Sequence, residues 1–170
     1  QHVRSGAADI VLAVGAEKMC SDDKARMFAA FDGAWDVHDT EASKARLLQM
    51  GEGVDPPPGS RSPRPYSVFM DIYAAMGRLH MRAFGTTQRQ FAPVAAKYHA
   101  HSVHNPLAQY RDAMSVEQVL AAPPISYPLT LPMCSPVSDG AAAAIVCNAA
   151  GLKRLRGDAR RAVRVLGCAM

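Results

Sequence analysis

Apolar residues form runs near both ends of the chain that predict β-strands. The run from Asp9 to Gly15, DIVLAVG, is partly β-branched and too short for a helix. Such a nearly continuous run is typical of a strand buried on both faces of a parallel sheet. Near the other end, Ala162–Cys168 alternates apolar and polar positions and predicts another strand of the same sheet.

The middle of the chain has apolar positions at helical spacing. Ser67 can cap a helix of about Val68–Phe84, which Gly85 would end. Its apolar stripe consists of Phe69, Ile72, Tyr73, Met76, Leu79 and Phe84. The sequence therefore predicts a long helix with one buried face.

Two capping-box spacings predict further helices. Thr87 and Gln90 stand three residues apart before a helix of about Gln88–His101, whose buried stripe would include Phe91, Val94, Ala95 and Tyr98. Ser115 and Gln118 repeat the spacing before a short helix that a Pro-Pro pair ends.

Three other segments have weaker patterns. The proline-rich stretch Val54–Pro65 predicts an exposed loop, because proline lacks the backbone donor that helices and central strands need. Ala141–Asn148 is ambiguous, since its alanines favour a helix while the preceding Gly turn and its Ile-Val end permit a buried strand. Leu152–Leu155 predicts a short helical piece.

The composition is that of an ordinary globular protein, with 170 residues, 49% apolar and 20% charged. No apolar run reaches the roughly 18 residues of a membrane helix, so no membrane-spanning segment is expected. The four cysteines lack CxxC spacing, and reduced thiols are the simplest interpretation.

The formal net charge of +4 permits an anionic partner without requiring one. No aromatic residues interleave the main basic cluster, between positions 153 and 164, so nucleic-acid binding is not expected. One cluster of basic residues stands out, and we interpret it as a solvated face, with phosphate binding as the alternative. It consists of Lys153, Arg154, Arg156, Arg160, Arg161 and Arg164.

Histidine and cysteine side chains are the candidates for metal binding or nucleophilic chemistry. On a helix His99 and His101 point about 200° apart, and no carboxylate cluster completes them with His104, so a metal site is not favoured. Cys134 could be a nucleophile, but no base stands near it in sequence, and a half-buried turn residue is the alternative. His80 lies on an apolar stripe, where a hydrogen-bonded core histidine is the default.

Four segments, in this order, resemble the thiolase superfamily, and within it the sterol carrier protein thiolases and their bacterial lipid-transfer relatives. The segments are Ala7–Met19, Gly77–Met81 with Phe84–Thr86, His101–Pro106 with Gln109-Tyr110, and Cys134–Ala144. One such motif would carry little weight, whereas four at plausible spacings identify the family.

The resemblance implies an α/β class, a thiolase-like layered α-β-α fold that is incomplete here and has a helical loop-domain insertion. Residues 1–19 and 133–170 would belong to the N-terminal core domain, and residues 20–132 to the loop domain, with the C-terminal thiolase half absent. The alanine run after Gly140 would then be a buried strand.

The resemblance also implies site residues. Thiolases use a cysteine upstream of the strand at Asp9 and later histidine and cysteine motifs, so the catalytic groups are expected before Gln1 and after Met170. This chain would supply the pocket for CoA or substrate, formed by His80, Met81, Cys134, Ser135 and Pro136. Cys134 would pack beside the channel and would not be the nucleophile. No metal is expected.

The function implied is that of an acyl-CoA C-acyltransferase of the sterol carrier protein type, in fatty-acid or steroid side-chain metabolism. CoA and acyl-CoA would be substrates, with no permanently bound cofactor. The alternatives are a thiolase-fold steroid side-chain retro-aldolase with a small partner protein, and a non-catalytic acyl-CoA or lipid-binding protein. We expect a homodimer or homotetramer, without nucleic-acid or membrane partners, in the cytoplasm, or in peroxisomes if eukaryotic.

Overall fold

The computed structural model describes residues 1–155 and 159–167. The chain has a mixed α/β fold and divides into two compact units, Gln1–Cys20 with Ser138–Met170, and Ser21–Val137. The α/β class predicted from the sequence is confirmed. The elements, in chain order, are β1 Ile10–Glu17, α1 Lys24–Ala29, α2 Thr40–Gln49, α3 Val68–Phe84, α4 Gln88–Ser102, α5 Val116–Ala121, β2 Pro124–Ser126, β3 Leu129–Thr130, β4 Gly140–Cys147 and α6 Ala149–Arg154.

The first unit is built on an antiparallel pair of strands. β1 and β4 pair from Ile10 opposite Cys147 to Glu17 opposite Gly140. The alanine run is therefore a strand, because pairing along β1 overrides the helical propensity of alanine.

The burial predicted for these strands is wrong. Leu12, Val14 and Ile145 share one face of the pair and are 63%, 65% and 57% exposed. Within the described part of the chain, β1 and β4 form a two-stranded sheet, which lacks the further strands and the covering layers that make a parallel sheet buried.

The strand predicted at Ala162–Cys168 is also wrong where the structure describes it. Residues 162–167 have no regular secondary structure, and Cys168 lies outside the described residues. Val163, Val165 and Leu166 are all strongly exposed. An alternating pattern forms a strand only when another strand accepts its backbone hydrogen bonds, and no such pairing occurs among these residues.

Asp139 joins the start of β4 to the segment that follows β1. Its Oδ1 accepts hydrogen bonds from the backbone N–H groups of Met19 and Cys20, both at 2.8 Å. Its Oδ2 accepts from Nζ of Lys18 at 2.5 Å. Two of the segments that carry the family resemblance thus meet at one carboxylate.

Capping residues in the second unit correctly predict where α3, α4 and α5 begin. Ser67 accepts from the Phe69 N–H at the start of α3, and Gly85 ends that helix with a φ of 68°. Capping boxes at Thr87 and Ser115 begin α4 and α5. The predicted α3 bounds are confirmed, and α4 runs one residue further than predicted.

Two helices in this unit gave no periodic signal. α1 buries only Met27, and α2 buries no residue, so neither has the apolar stripe from which a helix is predicted. Asp23 caps α1 by accepting from the Arg26 N–H at 3.1 Å.

The proline-rich loop is exposed as predicted, and its end is attached to neighbouring elements. The Ser62 N–H donates to the Ile125 carbonyl at 3.0 Å. Asp71 on α3 accepts from Arg61 at 2.9 Å and from the Tyr66 hydroxyl at 3.0 Å. The side chain of Asp71 thus fixes the path by which the loop enters α3.

Arg78 connects three segments of the second unit. From α3 its Nε donates to the Gly51 carbonyl at 3.2 Å, and its Nη1 donates to the Tyr127 carbonyl at 2.7 Å. Burial lowers the pKa of the guanidinium, and the charge of Asp71 opposes that shift. Arginine remains charged at neutral pH, so both bonds are charge-assisted.

Replacing Arg78 with Met should destabilise the protein. The change leaves two carbonyls without their donor, at a cost of about 3 kcal/mol in the free energy of unfolding. Chemical denaturation of the full-length protein measures this. Arg89→Met is the control, because its ion pair with Glu117 is exposed on both sides and should contribute little to the free energy of unfolding. Equal losses for the two variants would contradict the structural role of Arg78.

Asp139 should make the first unit sensitive to acid. Its hydrogen bond from Lys18, followed by those from the Cys20 and Met19 backbone, lowers the pKa of the carboxyl to about 2 from an ordinary 3.8. Because the pKa is lower in the folded state, the stabilisation is present above the ordinary value and is lost as pH falls from about 4 towards 2. An NMR titration of the Asp139 carboxyl should show the low pKa. Asp139→Asn should remove this pH dependence, whereas Asp55→Asn in the exposed loop should not.

Candidate functional site

An open groove of about 520 Å³ lies in the second unit, between α4 and the segment that follows β3. The α4 side and the segment after it contribute Phe91, Val94, Ala95, Tyr98, His99, Ser102, Gln109 and Tyr110. The opposite side is formed by Leu129, Pro132, Met133, Cys134, Ser135 and Pro136.

The lining of the groove is mostly apolar. Among the described residues that form it there is no Lys, Arg, Asp or Glu. Its polar groups are hydroxyls, one amide, one thiol and one imidazole, which bind by hydrogen bonds and carry no fixed charge. The groove therefore suits an uncharged group with a large apolar part, because a phosphate or carboxylate would find no cation there.

The wall formed by Cys134, Ser135 and Pro136 follows a 3₁₀ turn at Leu131–Met133. The Cys134 N–H donates to the Leu131 carbonyl at 3.1 Å and closes that turn. Cys134 is half-buried, whereas Ser135 and Pro136 are exposed. The three residues that the sequence suggested at this turn all line the groove.

The chemistry of Cys134 is that of a packed thiol. Its Sγ donates to the Thr130 carbonyl at 3.6 Å. Burial raises the pKa of the thiol, so at neutral pH less of it is thiolate than in a free cysteine. His99 lies in the same groove, a neighbour that the sequence spacing did not indicate, but no cation lowers the pKa of Cys134.

The other two suggested site residues lie elsewhere. His80 and Met81 do not line the groove. His80 is exposed rather than a core histidine; its Nδ1 lies 2.9 Å from the Thr86 hydroxyl, and its ring packs 4.7 Å from that of Phe84. The His80 ring also lies 6.1 Å from that of Phe91, which does line the groove. A role of His80 and Met81 in CoA binding stays a prediction.

The sequence did not identify several of the residues that line the groove. Val94 and Tyr98 were predicted to be buried, but they are 55% and 65% exposed and line the groove. An apolar stripe at helical spacing looks the same whether it faces a core or an open groove. Ser102, Gln109 and Tyr110 belong to the segment that resembles the thiolase family, and that resemblance was the one available signal for them.

His99, His101 and His104 do not form a metal centre in the described part of the chain, where no group of three potential ligands comes together. Instead, Nε2 of His99 lies 3.2 Å from the carbonyl oxygen of Pro132.

The chain is similar in sequence to thiolase-like proteins over most of its length. It is 36% identical over 149 residues to acetyl-CoA acetyltransferase of Methanothermobacter thermautotrophicus, which covers 86% of this chain and 32% of that protein. Sterol carrier protein 2 of Homo sapiens is 32% identical over 166 residues, covering 98% of this chain and 27% of that protein. The chain is a homologue of these thiolase-like proteins. The resemblance predicted from its four segments is confirmed.

A solved structure shows the same fold. The Ltp2-ChsH2(DUF35) aldolase matches with a TM-score of 0.59 and 25% identity, over 94% of this chain and 34% of that one. No protein-family model matches the chain. The chain spans about a quarter to a third of the length of these curated relatives. None of the described helices has the length and apolar character needed to cross a membrane.

Cys134 should react slowly with alkylating reagents. Its raised pKa leaves little thiolate at pH 7, and the rate should rise only as pH increases beyond the usual range of a cysteine. Mass spectrometry after timed iodoacetamide treatment should find the exposed Cys20 modified first. Alkylation of Cys134 as fast as that of Cys20 at pH 7 would contradict the raised pKa of the Cys134 thiol.

Proposed function

We propose that this chain contributes the substrate groove of an acyl-CoA C-acyltransferase, a thiolase of the sterol carrier protein type, in fatty-acid or steroid side-chain metabolism. The observation that carries the proposal is the 36% identity to an acetyl-CoA acetyltransferase over 86% of the chain. As part of this proposal, we assign residues 1–19 and 133–170 to a core domain and residues 20–132 to a loop domain.

The chemistry of the groove supports an acyl-CoA substrate. CoA carries its phosphates at one end, and a pantetheine arm with two amides leads to the thioester at the other. The uncharged groove suits the pantetheine and acyl part, whereas the phosphates would lie outside it. The Ser135 hydroxyl can hydrogen-bond a pantetheine amide. CoA is a substrate in this proposal, and no resident cofactor or metal is required.

The reaction proposed is acyl transfer through a cysteine thiolate. A thiolate attacks the thioester carbonyl, the C–S bond to CoA breaks, and CoA leaves as a thiol after taking up a proton. The raised pKa of Cys134 makes it a poor candidate for that thiolate. Its role in this proposal is to shape the groove while another cysteine carries the acyl group.

An aldolase is the second candidate, and the likeness to a solved aldolase favours it. In that case we propose retro-aldol cleavage of a steroid side-chain CoA ester, with a small partner protein. A non-catalytic acyl-CoA or lipid-binding role is a third outcome. We propose a homodimer or homotetramer in each case.

Product analysis on the full-length protein separates the three. A thiolase should cleave a 3-ketoacyl-CoA only when free CoA is added, and should yield two acyl-CoA products. An aldolase should cleave a 3-hydroxyacyl-CoA without free CoA and release a carbonyl compound. Saturable acyl-CoA binding with neither reaction would support the binding role and overturn the proposed acyltransferase.

Replacing Ser135 with Trp should weaken substrate binding. The indole would fill part of the groove, so the KM for the acyl-CoA should rise about tenfold or more, the effect of losing one or two good contacts. Steady-state kinetics on the full-length protein measure this. Ser135→Ala is the control, because it removes the hydroxyl without adding bulk. An unchanged KM in Ser135→Trp would remove this residue from the site.

A further inference from the structure

A histidine on α4 links the two sides of the groove. The His99 side chain is half-buried, and its Nε2 lies 3.2 Å from the Pro132 carbonyl. A carbonyl oxygen can only accept a hydrogen bond, so Nε2 must carry the proton. His99 therefore donates from one wall of the groove to the backbone of the other.

The acceptor lies in the turn that places the Cys134 wall. Pro132 is the middle residue of the 3₁₀ turn Leu131–Met133, which runs directly into Cys134. The turn itself is closed by the Cys134 N–H. A shift of Pro132 away from α4 would consequently carry Cys134, Ser135 and Pro136 with it.

Other contacts hold the base of the same wall. Gln88, at the first turn of α4, donates through Nε2 to the Pro128 carbonyl at 2.9 Å. The Thr130 hydroxyl donates to the Val119 carbonyl at 2.7 Å. Met133 packs against the core formed by Ala92, Ala95 and Val119. The His99–Pro132 bond differs from these contacts, because both of the residues that it joins line the cavity.

We propose that His99 is a positioning residue that sets the width of the groove, and through it the size of the acyl group that the protein selects. This inference rests on the proposed acyl-CoA function. His99 does not act on the thioester; it fixes the separation of α4 from the Cys134 wall. Losing the donor should let the wall move and should weaken discrimination between acyl chains of different length.

The test compares three variants of the full-length protein. His99→Leu removes the donor at similar size, His99→Gln keeps an amide donor of comparable reach, and His101→Leu is the control, because His101 is exposed on the same helix and does not line the groove. The measured quantity is kcat/KM for a series of acyl-CoA substrates from short to long chains.

In His99→Leu the ratio of kcat/KM between the best and the poorest chain length should fall about tenfold, which corresponds to one hydrogen bond. The change should appear mainly in KM, with kcat for the shortest substrate within about twofold. His99→Gln should restore most of the selectivity, and His101→Leu should match the unaltered protein. A purely structural role would lower activity towards all chain lengths alike.

A binding measurement separates this inference from the proposed function. S-alkyl-CoA thioethers of increasing chain length, which cannot react, are titrated calorimetrically into the same variants. If the unaltered protein turns over no acyl-CoA, the acyltransferase proposal fails, yet a thioether length profile flattened in His99→Leu alone would support the role of His99. An unchanged profile in His99→Leu, or a profile flattened equally in His99→Leu and His101→Leu, would overturn it. Should His99→Leu not fold, His99→Asn, whose amide is too short to reach Pro132, is judged by the same outcomes.

Discussion

The arrangement of the second unit depends on the two hydrogen bonds that the Arg78 guanidinium donates. Backbone carbonyls that leave solvent need a donor, and the carbonyls of Gly51 and Tyr127 obtain theirs from one planar cation. Tyr127 lies between β2 and β3, and that hairpin leads into the turn before Cys134. The short β2–β3 hairpin thus fixes the position of the groove wall relative to the middle of α3.

Close packing around Arg78 explains two of the glycines. A Cβ at Gly51 would occupy the space of the guanidinium, and a Cβ at Gly77 would lie 3.1 Å from the Pro128 ring. Ala74 and Ala75 are fully buried on the same helix. Small residues here let the hairpin and the chain after α2 approach α3 closely, so the cation can reach both carbonyls at once.

Local signals predicted the helices of this unit, and partner-dependent features were predicted less well. Ser67, Gly85 and the capping box at Thr87 act within one turn of chain, so their effect is visible in the sequence. The strand expected at Ala162–Cys168 needed a neighbour, and periodicity cannot show whether one is present. α2 was missed for the opposite reason, since it forms without burying an apolar face.

The same limit applies to the groove. Cys134, Ser135 and Pro136 were found through family resemblance, while Val94 and Tyr98 looked like core residues and His99 like a half-matched metal ligand. The α4 residues line a groove because Pro132 lies opposite them. Pro132 is more than thirty residues further along the chain, directly after the β2–β3 hairpin. The sequence of α4 defines an apolar face, but only the tertiary structure determines whether that face packs in a core or lines an open groove.

The strands of the first unit and the groove of the second unit are exposed in different ways. Apolar side chains of β1 and β4 are exposed, and they gain hydrophobic stabilisation only when covered. The groove differs from that surface, because its walls are held by directed hydrogen bonds from Gln88, His99 and Thr130 rather than by a covering layer. A site shaped by such bonds can stay open to solvent and still keep a defined width, as recognition of the uncharged acyl group proposed above would require.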